Sequence, residues 1–260
     1  MRNIDLLKEI DRIKVFIQNT VHQAGFQKTI LGLSGGIDSA LVAVLCTQAL
    51  GSENVIGLMM PYKNSNPLSL EHAKLLADKF NIATETIPIT DMVDAYFDHF
   101  EPDASSLRRG NRMARERMCI LYDLSAKYHA LVAGTSNKSE IYTGYCTQFG
   151  DSACAFEPIA HLYKTEVWKM AKLLKIPAEI ITKPPTADLW DGQTDEKEMG
   201  ISYHILDEIL YSLIDAPPPA PPMNVGGEIS PFSENDIKLV MQKINNSSFK
   251  REMPGQLTIE

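Results

Sequence analysis

The sequence has few cysteines, no excess of basic residues, and no apolar run long enough to cross a bilayer. Its four cysteines show neither Cys-x-x-Cys spacing nor histidines at zinc-ligand intervals, so we expect reduced thiols and a cytoplasmic protein. The formal net charge of −8 does not support general nucleic-acid binding, which usually leaves a basic footprint. The charged N-terminus lacks the apolar core of a signal peptide, and we expect no membrane partner.

A further absence concerns phosphate binding. The glycine-rich turn near residue 34 is not followed by Gly-Lys-Ser/Thr, so it is not a Walker A loop.

Hydrophobic residues make up 44% and charged residues 22% of the 260 residues, which is an ordinary globular balance. A chain of this length buries a substantial core, and we expect one α/β domain over residues 1–260.

The strongest local pattern is the hexapeptide Ser-Gly-Gly-Ile-Asp-Ser at residues 34–39, here called the SGGIDS loop. The apolar run before it, residues 29–33, predicts a buried strand, and the apolar segment after it, residues 40–45, predicts a helix. Such a turn points several backbone N–H groups at one spot, to which the helix dipole adds positive potential. Because Gly35 and Gly36 also let an anion approach closely, the pattern predicts a phosphate site.

Asp38 needs a separate explanation, because a carboxylate repels a bare phosphate. Its place in the loop favours a bridging metal, and Mg²⁺ is the cation that binds carboxylates together with substrate phosphates. The simpler interpretation is that Asp38 or Ser39 only caps the helix that follows. Capping does not require paired glycines, so we favour phosphate binding.

Strand and helix patterns alternate along the first half of the chain. An amphipathic helix over residues 4–21 comes first, and Gly51 is expected to end the helix after the SGGIDS loop. The alternation predicts a doubly wound, mainly parallel α/β sheet flanked by helices, with ligands beyond the carboxyl ends of the strands. The expected strands are 29–33, 54–60, 84–89 (where Pro88 indicates an edge strand or a strand end) and 130–134, and the helices between them are 69–80 with Ser69 as cap, 91–100 and 112–129.

The second half is less regular. Helices are expected at 164–174, 201–214 and 233–244, and the proline-rich stretch 216–222 predicts a stiff spacer. Residues 245–260 are rich in Asn, Ser and Lys and predict a mobile C-terminal tail.

Several short segments carry a resemblance to known enzymes. The SGGIDS loop resembles the pyrophosphate-binding loop of the N-type ATP pyrophosphatases, which transfer AMP from ATP and release pyrophosphate. Four further segments stand in the order seen in NAD synthetases, and several motifs in one order are more specific than any one of them. The chain therefore resembles the ammonia-dependent NAD synthetases, which implies an adenine nucleotide alpha hydrolase-like fold. The four segments are 110–118 (GNRMARERM), 134–140 (GTSNKSE), 183–189 (KPPTADL) and 193–196 (QTDE).

The resemblance implies a two-step amidation. The nicotinate carboxylate of deamido-NAD attacks the α-phosphorus of ATP, and pyrophosphate leaves. Ammonia then attacks the activated carbonyl, and AMP leaves. The resemblance also implies Mg²⁺ as the cofactor and a homodimer that binds deamido-NAD across its interface.

The resemblance assigns roles to individual residues. It places Mg²⁺ on Asp38 and Glu140, although from the residues alone a solvated first-turn glutamate explains Glu140 equally well. Lys164 matches a family lysine beside the phosphates and, with Asp151, is expected to be catalytic. The implied ATP contacts are Gly32, Leu33, Ser34, Gly35, Gly36, Ile37, Asp38, Ser39, Thr135, Lys164 and Thr186, and the implied deamido-NAD contacts are Asn111, Arg115, Gln148, Asp151, Glu196 and Lys250.

The chemistry of ammonia attack also gives a reason for a carboxylate such as Asp151 in the site. Ammonium predominates at neutral pH but has no lone pair, and a carboxylate can orient it and help to remove its proton. The alternative is an ordinary aspartate in a turn after Gly150.

Arginines recur at helical steps near residue 110. Arg108, Arg112 and Arg115 form either a solvated basic stripe or, at Arg115, a guanidinium fork for the pyrophosphate of deamido-NAD. Arg109 and Arg117 are expected at the surface.

Three positions depart from the family pattern. Gln148 replaces its usual lysine, Ala155 stands where an aspartate is common, and Phe249 replaces a histidine before Lys250. Each lies where contact with deamido-NAD is expected, so the ATP half matches the family better.

The expected nitrogen source is free ammonia. The first strand begins near residue 29, which leaves room for one helix and not for a glutaminase domain. The alternatives are another N-type ATP pyrophosphatase, such as a GMP synthetase or a tRNA-thiolating enzyme, and a non-catalytic nucleotide-binding module. The former would lack segments 110–118 and 183–189, and the latter gives no reason for Asp38, Glu140 and Lys164 to occur together.

Overall fold

The structure, a computed structural model, describes residues 2, 4–190, 192–216, 232–253, 255 and 257. Four parallel strands form one sheet, and they are β1 (Lys28–Gly32), β2 (Val55–Met59), β3 (Ala83–Thr86) and β4 (Ala130–Val132). Their order in the sheet is β3-β2-β1-β4, so successive strands are added on one side of β1 up to β3, and β4 is then added on the other side. This order confirms the doubly wound sheet. Pro88 predicted an edge strand or a strand end, and β3 both lies at an edge and ends before Pro88.

The two faces of the sheet are covered by separate groups of buried side chains. The helices are α1 (Leu6–Gln23), α2 (Ile37–Leu50), α3 (Pro67–Phe80), α4 (Thr90–Phe100), α5 (Ser106–Tyr128), α6 (Lys138–Thr143), α7 (Lys164–Leu173), α8 (Ala178–Thr182), α9 (Asp195–Met199), α10 (Tyr203–Leu210) and α11 (Glu234–Asn246). Along β1 the side chains alternate, so that Leu31 packs with α1, α2 and α7 on one face, whereas Ile30 packs with α4 and α5 on the other.

Helix boundaries follow local chemistry. Gly51 ends α2 with a φ of +87°, as predicted. The predicted cap of α3 is wrong by three residues, because the side chain of Asn66, and not that of Ser69, accepts an N–H of the first turn. The single helix expected over 201–214 instead changes at Tyr211–Asp215 into a π-helical turn.

The C-terminal half forms a third cluster of buried side chains, in which α10 packs against α6, α7 and α11. The first part of the predicted mobile tail docks there: Arg251 donates to the carbonyl oxygens of Ile141 and Tyr142 in α6. Residues 217–222 of the predicted spacer, and 254, 256 and 258–260 of the tail, lie outside the described residues. Over the described ranges no helix combines the length and apolar character needed to cross a membrane. The four cysteines are free thiols.

Candidate active site

The SGGIDS loop follows the carboxyl end of β1, and its last three residues, from Ile37 onward, are the first residues of α2. Gly35 has a φ of +72°, and a Cβ there would overlap the backbone of Ser69 in α3, so only glycine fits. The hydroxyls of Ser34 and Ser39 lie 3.0 Å apart across the turn. Backbone amides of the loop therefore open α2 beside two hydroxyl groups, which is an arrangement that binds phosphate.

A second polar turn follows β4 and reaches the same place. The side chain of Asn137 caps α6 by accepting the amide of Glu140 at 3.1 Å. Its amide nitrogen also donates to Asp38 Oδ1 at 2.9 Å. The backbone amide of Asn137 donates to Glu140 Oε2 at 3.3 Å, so Asn137 contacts both carboxylates on which the resemblance places Mg²⁺.

Lys164 lies between these carboxylates. Its side chain is 2% exposed, and its Nζ lies 2.6 Å from Asp38 Oδ2 and 3.0 Å from Glu140 Oε1. Burial opposes the ammonium charge, but the two carboxylates outweigh it and raise the pKa of Lys164. Burial raises the pKa of Glu140 to about 8, the negative charge of Asp38 adds to this rise, and the positive charge of Lys164 opposes it.

Asp207 fixes the position of Lys164 and was not found from the sequence. Its buried carboxylate accepts the amide of Thr165 at 2.8 Å and the hydroxyl of Ser139, and that hydroxyl accepts the amide of Lys164 at 3.0 Å. One side chain of α10 thus ties the start of α7 to α6. Its pattern in the sequence is that of an ordinary helix residue, so only the fold reveals it.

Asp195 is the third carboxylate of the site. It is 3% exposed, Oδ2 accepts the hydroxyl of Tyr203 at 3.0 Å, and Oδ1 has no hydrogen-bond partner among the described residues. Burial raises its pKa. The neighbouring Glu196, expected to contact deamido-NAD, instead accepts the amide of Tyr203 at 2.8 Å. Successive residues of a helix point in different directions, so within QTDE only the structure distinguishes these two.

Two cavities that share lining residues surround these groups. The smaller, about 160 Å³, is here called the phosphate pocket, and the larger, about 800 Å³, is called the large cavity. The phosphate pocket is lined by Ser34, Gly36, Ile37, Asp38, Ser39, Thr135, Glu140, Asp151, Lys164 and Thr186 of the predicted set. Gly32 and Leu33 line the large cavity, and Ser34, Thr135, Asp151 and Thr186 line both.

Three of the six expected deamido-NAD contacts, Asn111, Asp151 and Lys250, line the large cavity. Thr147 connects two of them, since its hydroxyl donates to Asn111 at 2.8 Å and its amide donates to Asp151 at 2.8 Å. Lys250 donates to the carbonyl oxygens of Gly144 and Cys146, both at 2.8 Å. These contacts hold the turn that carries Asp151 against the cavity.

The other three contacts do not line either cavity. Arg115 is exposed and its Nε donates to the carbonyl oxygen of Gln148 at 3.3 Å, and Glu196 faces α10 as described. In this single chain the structure therefore does not bring Arg115, Gln148 and Glu196 together with the remaining site.

Arg117, expected at the surface, instead lines the large cavity, so that expectation is wrong. Its Nε donates to the carbonyl oxygen of Met60 at 3.0 Å. Burial lowers its pKa, while the charges of Asp188 and Asp151 act in the opposite direction. A signal was present, because Asn111, Ala114, Arg117 and Leu121 recur at helical spacing on the face that lines the cavity.

Asp151 stands where the two cavities meet. Burial of the carboxylate raises its pKa, although the hydrogen bond from the Thr147 amide opposes this. A raised pKa makes the carboxylate a better proton acceptor at neutral pH.

A glycine-rich loop at the carboxyl end of a doubly wound sheet, faced by two carboxylates and a lysine, is the arrangement expected of an N-type ATP pyrophosphatase. Within that class, the chain belongs to the NAD synthase family, whose model matches residues 9–254. It is 52% identical over 256 residues to the NH(3)-dependent NAD(+) synthetase of Fusobacterium nucleatum, covering 98% of this chain and 97% of that one. It is 48% identical to the enzyme of the same name from Trichlorobacter lovleyi, and the match covers 92% of this chain and 86% of that one.

Solved structures agree with this assignment. The NH3-dependent NAD synthetase from Campylobacter jejuni has a TM-score of 0.76 at 36% identity and covers 98% of this chain and 100% of that chain. The NMN synthetase from Francisella tularensis has a TM-score of 0.87 at 28% identity, and the match covers 99% of this chain and 100% of that chain.

Proposed function

We propose that this chain converts deamido-NAD to NAD, using ATP and ammonia and releasing AMP and pyrophosphate. The observation that carries the proposal is the 52% identity, over nearly the full length of both chains, to an NH(3)-dependent NAD(+) synthetase. The site geometry supports it, because a phosphate pocket and a large cavity meet at residues that could surround a reacting phosphorus.

In the first step a carboxylate oxygen of deamido-NAD attacks the α-phosphorus, and the bond to the bridging oxygen of pyrophosphate breaks. The amides of the SGGIDS loop and the ammonium of Lys164 would bind the departing oxygens. The shared walls of the two cavities, Ser34, Thr135 and Thr186, would hold the α-phosphate opposite the attacking carboxylate.

We propose Asp38 and Glu140 as the residues that hold Mg²⁺. The site fits a cation, because both carboxylates already converge on one positive group, Lys164 Nζ, and the buried Oδ1 of Asp195 has no hydrogen-bond partner in the described part of the chain. Mg²⁺ commonly uses one or two carboxylates and takes its other ligands from phosphates and water. When bound, the metal would neutralise charge on the polyphosphate.

In the second step ammonia attacks the carbonyl carbon of the adenylated intermediate, and AMP leaves with the electron pair of the broken C–O bond. Asp151 would orient ammonium beside the carbonyl and accept the proton that frees its lone pair. Its place at the junction of the two cavities supports this role. Asn111 and Lys250, which line the same cavity, would bind deamido-NAD.

Free ammonia as the nitrogen source, a homodimer and a cytoplasmic location stay predictions. The first is supported by the name of a relative that is 52% identical to this chain, an NH(3)-dependent NAD(+) synthetase.

The test is to incubate the purified chain with deamido-NAD, ATP, Mg²⁺ and ammonium and to measure the products. We expect NAD, AMP and pyrophosphate in equal amounts, and glutamine at equal concentration should support much slower turnover. Formation of ADP and orthophosphate would contradict the proposed reaction class.

A second candidate is amidation of the corresponding mononucleotide to NMN, since the NMN synthetase fold superposes with the higher TM-score of 0.87. Sequence identity favours the dinucleotide, at 52% against 28%. Comparing kcat/KM for deamido-NAD and for nicotinate mononucleotide separates the two, and we expect deamido-NAD to be the better substrate.

A further inference from the structure

The phosphate pocket must accept the strongly negative charge of pyrophosphate as it leaves. Among the described residues, two cationic side chains line this pocket, Lys164 and Lys183. The ammonium of Lys164 is held by Asp38 at 2.6 Å and by Glu140 at 3.0 Å. The protein therefore already neutralises much of the charge of Lys164. A second cation is needed in the pocket to neutralise the charge of pyrophosphate.

Lys183, unlike Lys164, forms no ion pair with a carboxylate among the described residues. Its Nζ donates to Ser69 Oγ at 2.8 Å, and in the described ranges this is its only hydrogen-bond partner. Two of its three N–H donors are thus available to a ligand. The side chain is half-buried, and burial lowers its pKa while Asp188 acts to raise it, so an added anion would stabilise the ammonium.

The partners of Lys183 keep it beside the SGGIDS loop. Ser69 Oγ donates to Asp188 Oδ2 at 2.8 Å, and Asp188 also accepts the amide of Asn66 at the start of α3. The backbone of Ser69 in turn lies directly against Gly35. These contacts fix the amine next to the loop whose amides bind phosphate.

We propose that Lys183 binds the pyrophosphate leaving group of ATP through charge-assisted hydrogen bonds to its non-bridging oxygens. This inference rests on the proposed function and adds a residue to it. As the bond from the α-phosphorus to the bridging oxygen breaks, the electron pair stays on pyrophosphate. Lys183 stabilises that charge by donating hydrogen bonds and keeps its own protons.

The experiment measures the binding of two products in the presence of Mg²⁺, pyrophosphate and AMP, to wild-type protein and to K183M. Because a charge-assisted hydrogen bond is lost, K183M should bind pyrophosphate about 10- to 100-fold more weakly. AMP lacks the β- and γ-phosphates, so its Kd should change less than about twofold. K183R, which keeps the charge, should recover part of the pyrophosphate affinity.

The matched control is K79M, which removes an exposed lysine whose Nζ donates to the carbonyl oxygen of Lys175 outside both cavities. It should bind pyrophosphate as the wild type does. Equal weakening of pyrophosphate and AMP by K183M would show that Lys183 only holds the loop in place and would overturn the inference, as would unchanged pyrophosphate binding. Failure of the proposed function is recognised separately, by wild-type protein that forms no NAD.

Discussion

Lys164 Nζ lies 2.6 Å from Asp38 Oδ2, although 126 residues separate the two in the chain and each opens a different helix. Burying a lysine is costly unless its charge is paired, so the contact ties the start of α7 to the SGGIDS loop. In the proposed reaction, the same ammonium would bind the departing pyrophosphate. This relationship explains why the sheet, the loop and α7 form one site.

Replacing Lys164 with methionine should therefore abolish most of the activity. The change keeps the length of the side chain but removes its charge, and we expect kcat for NAD formation to fall at least about 100-fold. K172M, which removes an exposed lysine from the same helix, is the control and should keep wild-type kcat. Comparable rates for K164M and wild type would contradict the catalytic role.

Gly35 gives a prediction about the loop itself. G35A places a methyl group against the backbone of Ser69 at a φ of +72°, and it should destabilise the fold by about 3 kcal/mol or more. G25A is a matched control, because Gly25 has a φ of +83° but nothing within 4 Å of an added Cβ. It should lose only about 1–2 kcal/mol from the backbone conformation. Urea unfolding of both variants measures the difference, and equal losses would contradict the role of the Ser69 contact.

Variants of Arg117 and Arg115 test which arginine of segment 110–118 binds a substrate. R117M removes a guanidinium from the large cavity, and it should raise the KM for ATP or for deamido-NAD about 10-fold or more. In the single chain Arg115 is exposed and outside both cavities, so R115M should have the smaller effect. Steady-state kinetics with ATP and deamido-NAD varied in turn would test this. A larger effect of R115M would instead support deamido-NAD binding by Arg115 across a dimer interface.

Much of the sheet could be predicted because each strand is a short apolar run bounded by a clear turn. The four predicted strands all form, and α1 buries Ile10, Ile13, Ile17 and Val21 at the spacing that predicted it. Helices α6, α8 and α9 were missed, since helices of five or six residues are too short to show a period.

The site was predicted where a backbone motif specifies it and missed where only tertiary contacts do. The SGGIDS loop, Thr135 and Thr186 line the phosphate pocket or shape it, as the sequence indicated. Asp195 and Asp207 gave no such signal, because their positions depend on which face of a helix packs inward.

Glu157 links the stability of the turn after β4 to pH. Its carboxylate accepts the amide of Ser136 at 3.1 Å, and burial raises its pKa from 4.5 to about 7, against the hydrogen bonds from Cys154 and Ser136. The folded protein therefore holds this proton at a pH where the unfolded chain has released it. Stability from this group is fully present below about pH 4.5 and is lost as pH rises to about 7 and beyond, by at most about 3 kcal/mol.

E157Q should remove this dependence, because glutamine keeps an oxygen for the Ser136 amide and carries no charge. Relative to the wild type, the variant should gain about 1–3 kcal/mol of stability between pH 5 and pH 8, measured by urea unfolding at both values. E71Q, an exposed glutamate of α3, controls for the change in net charge and should not alter the wild-type slope. An identical pH slope in E157Q and wild type would show that the folded protein does not hold a proton on Glu157.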